Sequence, residues 1–183
     1  VGLRSRGSVY RHFDSKEAMF QAVVVKTMAP HVEALRARSI APTSSLAVLL
    51  RGVVRPMAEI AVNSALGGVL KMVIAEAHNF PELSRIWYRE LLGPILEVIT
   101  AAIIRAQAEG EVRQGDPHAF ALQAIAPLIT LLIWRETFVP AGAPEHDVEA
   151  VLAQGVEAFL GGVLISQPAA APAGWEPCGL AGD

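Results

Sequence analysis

The stretch SRGSVYRHFDSKEAMFQAVV, Ser5 to Val24, gathers Arg6, Tyr10, Arg11, His12 and Lys16 around one turn, in a chain whose net charge is -3. Ser5 to Phe13 reads as a short helix. Asp14 or Ser15 caps a second one, and Asp14 with Glu17 three residues on forms a capping-box pattern. Two helices joined this tightly bring the polar side chains to one end. Gly7 and Ser8 are small enough for a backbone to sink into a major groove. Arg4 or Arg6 offers the bidentate fork that a guanine edge accepts. Tyr10 and His12 can reach phosphate oxygens. Lys16 stands at a helix start, where free N–H groups and the positive dipole end already favour a phosphate. Phe13 is the apolar plug that fixes the angle between the two helices.

Charge follows the same division. Residues 1–38 hold seven basic and three acidic residues, a net of +4, which leaves -7 on the rest of the 183-residue chain. A basic end on an acidic body suits a polyanionic partner touched at that end alone. Hydrophobic residues make up 52% and charged residues 18%, so the chain hides a large core or shares surface with a partner. No run of about 20 residues is uninterruptedly apolar, so no membrane crossing is expected. Ala119 to Trp134 comes nearest and is broken by Gln123, Pro127 and Thr130. No leader is visible, and the single Cys178 forms no internal disulfide; a reducing, cytoplasmic setting is expected.

The fold class is all-α, because apolar residues recur at spacings of three and four throughout. Phe20, Val24, Met28, Val32 and Leu35 make one stripe, and Leu46, Leu49, Val53, Met57 and Ile60 the next, after the turn APTSS at 41–45. NSALGG at 63–68 is a break, followed by a helix from Val69 to His78. Pro81 suits the first turn of a long helix reaching Ala108. Asp116 and Pro117 open a helix to Phe138, and Pro144 opens a last one ending near Ile165. Pro30, Pro56, Pro94 and Pro127 fall inside helices, where each removes a hydrogen bond and is expected to kink or split its helix. The tail 167–183 is expected to be disordered.

Ser5 to Val24 resembles the recognition helix and following linker helix of the TetR/AcrR family of bacterial transcriptional regulators. The family pattern is Ser, a basic residue, Gly, Thr or Ser, an aliphatic, Tyr, any residue, His or Tyr, Phe, then Ser-Lys-Glu. Ser5, Arg6, Gly7, Ser8, Val9, Tyr10, His12, Phe13, Ser15, Lys16 and Glu17 fill those places. VIAEAHNFPELSRIWYRE, 73–90, is similar to a recurring segment of the family's ligand-binding domains. The resemblance implies a truncated helix-turn-helix head with linker helix over 1–38, and a TetR-type C-terminal ligand-binding and dimerisation domain over 39–166. It implies Arg4, Ser5, Arg6, Gly7 and Ser8 near the bases of operator DNA, and Tyr10, His12 and Lys16 on phosphates. It also implies a repressor released by a small effector. The family head begins with two further helices, and the family usually has Gly-Val-Ser where this chain reads GLRS. A chain starting just before the recognition helix is expected to bind DNA poorly by itself. The alternative is a helical dimerisation or interaction module that no longer binds DNA.

The resemblance also implies a homodimer through the last two long helices. Phe120, Ala124, Leu128, Leu131 and Leu132, with Val148, Val151, Val156, Phe159 and Val163, exceed what one helix face buries and are read as the shared core. Met57, Met72, His78, Trp87, Leu91, Ile95 and Trp134 are the candidate ligand-binding residues, since Met and aromatic side chains adapt to varied apolar ligands. The absence of charges among them points to a small apolar effector. Catalytic and metal sites are not expected. The five His are scattered without an i, i+4 pair, Glu76 and His78 point to different faces, and no Gly-rich phosphate loop occurs. No cofactor is expected.

Overall fold

A computed structural model describes residues 16–40 and 45–165, and these form a helical bundle with no extended strand among them. The elements are α1 (Lys16–Ile40), α2 (Leu46–Asn63), α3 (Leu66–Glu76), α4 (Pro81–Trp87), α5 (Gly93–Ala108), α6 (Pro117–Ile133) and α7 (Val148–Val163). Residues 1–15 and the tail from 166 lie outside the described residues, as does the expectation of disorder at 167–183.

Side-chain caps fix the starts of α2, α6 and α7. Ser45 accepts from the Val48 N–H at 3.2 Å, and Asp116 accepts from His118 at 2.9 Å and Ala119 at 3.3 Å, with Pro117 in the first turn. The last helix opens later than Pro144. Its cap is Asp147, which accepts from the Ala150 N–H at 3.1 Å, while the Pro144 carbonyl accepts from Trp134 Nε1 at 2.9 Å. Ahead of it the chain turns at Gly142, whose φ of +97° is left-handed. The break at 63–68 is shorter than the sequence implies. Ser64 Oγ donates to the Ile60 carbonyl at 2.6 Å and accepts from the Leu66 N–H at 3.2 Å, so one hydroxyl closes α2 and opens α3. The two helices meet at 72°.

Three of the four helical prolines split nothing: Pro30, Pro56 and Pro127 lie within unbroken α1, α2 and α6. Pro94 behaves differently. It sits in the first turn of α5, behind a π-helical turn at Tyr88–Leu92 that closes when the Gly93 N–H donates to the Tyr88 carbonyl. The same device recurs at Trp134–Phe138, where Val139 donates to the Trp134 carbonyl just before Pro140. A proline cannot donate to the carbonyl four residues back. For Pro140 that carbonyl is Glu136, and Lys71 Nζ takes the vacated place at 2.6 Å.

The core falls into two zones. One joins Phe20, Val24 and Val32 of α1 to α3, α4 and the ends of α2, α6 and α7. The other joins Leu35 to the first half of α2, the body of α5, Phe120 and Ala121, and the end of α7. A loop ties the second zone shut: Val112 pairs with Leu164 in an isolated β-bridge, Arg113 donates to the Gly162 carbonyl, and Glu111 accepts from the Leu46 N–H. Two helical runs, Pro81–Ala108 and Pro117–Ala141, are long and apolar enough to cross a bilayer by length and composition alone. Gln123, Pro127 and Thr130 sit in the second run without interrupting its helix, and apolar length by itself is no evidence of a membrane location. Of the most apolar window in the second run, 22% is buried, against 44% in the first, so α6 carries apolar surface outward.

Gly155 of α7 lies close against Pro127 of α6. A Cβ there would lie 2.7 Å from Cγ of the Pro127 ring, which cannot rotate away. Gly155→Ala gains up to about 1 kcal/mol of helix propensity and incurs about 1–3 kcal/mol of overpacking. The expected net result is a lower calorimetric melting temperature; an unchanged or raised one would show that α6 and α7 are farther apart.

Candidate ligand-binding site

Between the two core zones lies a hollow of about 90 Å3. α1 supplies His31, Val32 and Leu35, and α2 supplies Leu50, Val53, Val54 and Met57. Ile95 and Ile99 come from α5, Ala124, Ile125 and Leu128 from α6, and Leu152 and Val156 from α7. Five helices thus meet at one apolar space. The α2 residues share a face because 50, 53, 54 and 57 follow helical spacing. In the predicted α2 stripe, Leu46, Leu49 and Ile60 are buried in core, whereas Val53 and Met57 are half-buried and face the hollow.

Polar bonds hold α1 over this space at its two ends. Towards its start, Gln21 Nε2 donates to Glu90 Oε1 at 2.8 Å, and Arg89 donates to the same oxygen at 2.8 Å. Glu90 lies in the π turn before Pro94, so the extra residue of that turn decides which way its carboxylate faces. At the other end, Arg105 donates to the Ser39 carbonyl at 2.9 Å, placing a cation at the negative end of the helix dipole. Across the opposite wall, Arg51 and Glu157 form a two-pronged bridge at 2.6 and 2.8 Å between α2 and α7. The hydrogen bonds from Arg51 hold the Glu157 carboxyl below its ordinary range. Being solvent-exposed, the pair adds little to stability.

The predicted ligand residues scatter. Met57 and Ile95 line the hollow. Trp87 and Leu91 are buried in the core zone beside it. Met72 and His78 are exposed on α3 and the turn after it. Trp134 lines a separate open cleft of about 590 Å3 on the outer side of α6 and α7, with Gln123, Thr130 and His146. The wall that sequence reasoning missed is chiefly α1, whose stripe at Val32 and Leu35 was legible but was assigned to the DNA-binding end.

The predicted dimer stripe also turns inward. Ala124, Leu128 and Val156 line the hollow, and Phe120, Leu131, Leu132, Val148 and Val163 are buried within the single chain. The outward face of α6 holds Leu122, Ala126 and Thr130, and that of α7 holds Ala150, Ala153 and Ala158. Both helices are apolar nearly all round, so periodicity could not tell the inner side from the outer. The candidate DNA contacts Arg4, Ser5, Arg6, Gly7, Ser8, Tyr10 and His12 lie outside the described residues; Lys16 is the first residue of α1. Among the described residues, no group of three or more His, Cys, Asp or Glu is placed to hold a metal ion.

Ile99 is 4% exposed and faces the hollow. Ile99→Ala is expected to lower stability by about 2–5 kcal/mol and enlarge the space. Saturating toluene then recovers part of the loss by binding the folded state. A variant that melts lower but gains nothing from toluene argues against an enclosed apolar site.

Residues 48–162 match the family model of the AefR-like transcriptional repressor C-terminal domain. Among solved structures, the fold is similar to a protein assigned to the TetR family of transcriptional regulators from Mesorhizobium loti MAFF303099. That match has 22% identity, 86% of this chain and 79% of that one aligned, and a TM-score of 0.66. SmeT, the repressor of the Stenotrophomonas maltophilia multidrug efflux pump SmeDEF, aligns over 96% of this chain and 82% of its own at 21% identity and a TM-score of 0.61. A TetR-family transcriptional regulator from Pectobacterium atrosepticum aligns over 90% and 79% at 26% identity and a TM-score of 0.52. No protein of curated function matches the sequence.

Proposed function

The chain belongs to the TetR family of transcriptional regulators, with the C-terminal domain of its AefR-like repressors, and from that membership we propose that it is a DNA-binding repressor released from its operator by a small apolar effector. The observation that carries this reading is the apolar hollow roofed by α1, the helix that continues directly from the segment similar to a recognition helix.

The size of the hollow supplies the switch. An engineered apolar cavity of roughly 150 Å3 accepts a benzene. About 90 Å3 is less than that. An effector of even one ring therefore enters only if a wall yields. Protein interiors pack at crystal-like density, so the displacement passes to a whole helix. The ligand then favours the state with the helix moved, and shifts the population by its difference in affinity for the two states. α1 is the wall in sequence with residues 1–15, so its movement re-aims whatever precedes Lys16.

On the DNA side, Arg6 and Ser8 face bases and Tyr10, His12 and Lys16 hold phosphates, as the family motif implies residue by residue, and Arg4, just ahead of the motif, is a further guanidinium within reach of a base edge. On the dimer side, two copies pair through the outward faces of α6 and α7. Stable interfaces of this kind bury above about 2,000 Å2 in total. The apolar face of α6, and the Ala and Gly along α7, suit close helix approach. The setting is cytoplasmic, where operator DNA is found.

Two measurements test this. For the chain extended upstream to a complete three-helix head, operator affinity is expected to fall steeply with salt and to drop about tenfold or more in Arg6→Ala. Salt-independent or absent binding would leave the interaction-module alternative standing. Sedimentation at micromolar concentration is expected to give a dimer, and Ala126→Arg a monomer of unchanged helicity. A wild-type monomer would rule out the pairing through α6 and α7.

A further inference from the structure

We infer that the effector is an apolar ring carrying one hydrogen-bonding group, and that His31 is the residue that reads that group. This deepens the proposed effector site and rests on it.

Thirteen of the fourteen residues around the hollow are aliphatic or Met; His31 alone brings nitrogen to the wall. Its side chain is half-buried, and its imidazole makes no hydrogen bond among the described residues. A polar group facing an apolar space is costly to leave unpaired, and a ligand that pairs it recovers that cost. An imidazole both donates and accepts, so a phenolic or alcoholic hydroxyl suits it. A ligand with several polar groups would leave the rest unpaired against Val, Leu and Ile.

The position of His31 in α1 makes the contact consequential. It follows Pro30, which cannot donate to the Lys26 carbonyl, so α1 lacks one internal hydrogen bond just where the hollow begins. α1 is fastened by Gln21 to Glu90 near one end and by its Ser39 carbonyl to Arg105 at the other. In between, Val24, Val32 and Leu35 are its buried apolar contacts among the described residues. A hydroxyl bonded to His31 adds a polar tie beside the hydrogen bond that Pro30 cannot make. A bare hydrocarbon fills space without making that tie.

Toluene and p-cresol share a shape and differ by one hydroxyl. Calorimetric titration of the wild-type protein is expected to give p-cresol an affinity at least equal to that of toluene. In His31→Leu, p-cresol affinity falls about tenfold or more, the equivalent of one lost hydrogen bond, while toluene holds or tightens. His31→Gln, which keeps a hydrogen-bonding group, retains the p-cresol affinity. In the wild type, the 15N resonance of the His31 imidazole moves with p-cresol and stays with toluene; this readout decides the matter if His31→Leu does not fold. Equal p-cresol affinity in wild type and His31→Leu, or an unmoved imidazole signal at saturation, overturns the assignment and leaves the apolar site intact. Failure of both ligands to bind the wild type overturns the site itself.

Discussion

The proposed switch depends on α1 lying across the hollow, with polar ties near its start and in its last turn. Gln21 and Glu90 fasten the first half, and Arg105 fastens the last turn through the Ser39 carbonyl. Under the centre, the two core zones fail to meet and leave a hollow. Had α1 packed continuously, the bundle would be a solid core with no place for a ligand. Had it lacked its end ties, filling the hollow would loosen the helix without directing its motion.

The prolines contribute to this arrangement in two distinct ways. Pro94 and Pro140 each follow a π turn, and the extra residue changes which side chains face the bundle. At the first turn that places Glu90 toward α1. After the second, Pro140 leaves the Glu136 carbonyl free for Lys71, linking α3 to the end of the α6 run. Pro30 and Pro127 instead lie inside continuous helices. Pro127 lies close against Gly155, which leaves no room for a side chain there.

Much of the fold was legible from local chemistry. Ser45, Asp116, Pro81 and Pro117 announced helix starts because capping and first-turn preferences act within four residues. Pro144 misled for the same reason: it looks like a first-turn proline, but Asp147 offers the better cap three residues later. The π turns were not legible, since one inserted residue barely alters an apolar period; a proline after a long helical run was the available signal. The site was half legible. Met57 and Ile95 announced themselves by type and spacing, but a stripe such as Val32–Leu35 says that a helix is packed, not against what. Trp134 lines the outer cleft and not the hollow, because an aromatic on an apolar helix fits either equally well. The two sides of α6 and α7 were hard to tell apart for the same reason, so Ala124, Leu128 and Val156, read as dimer core, line the hollow, while Val151 faces the outer cleft.

On the proposed reading, filling the hollow moves the middle of α1 against the bundle. Spin labels at Lys26→Cys on α1 and Glu97→Cys on α5, both exposed positions, in a Cys178→Ser background, measure that motion directly as a distance. The account predicts a distance distribution that shifts as a whole when p-cresol saturates the protein. Saturation confirmed by calorimetry with an unmoved distribution would contradict it.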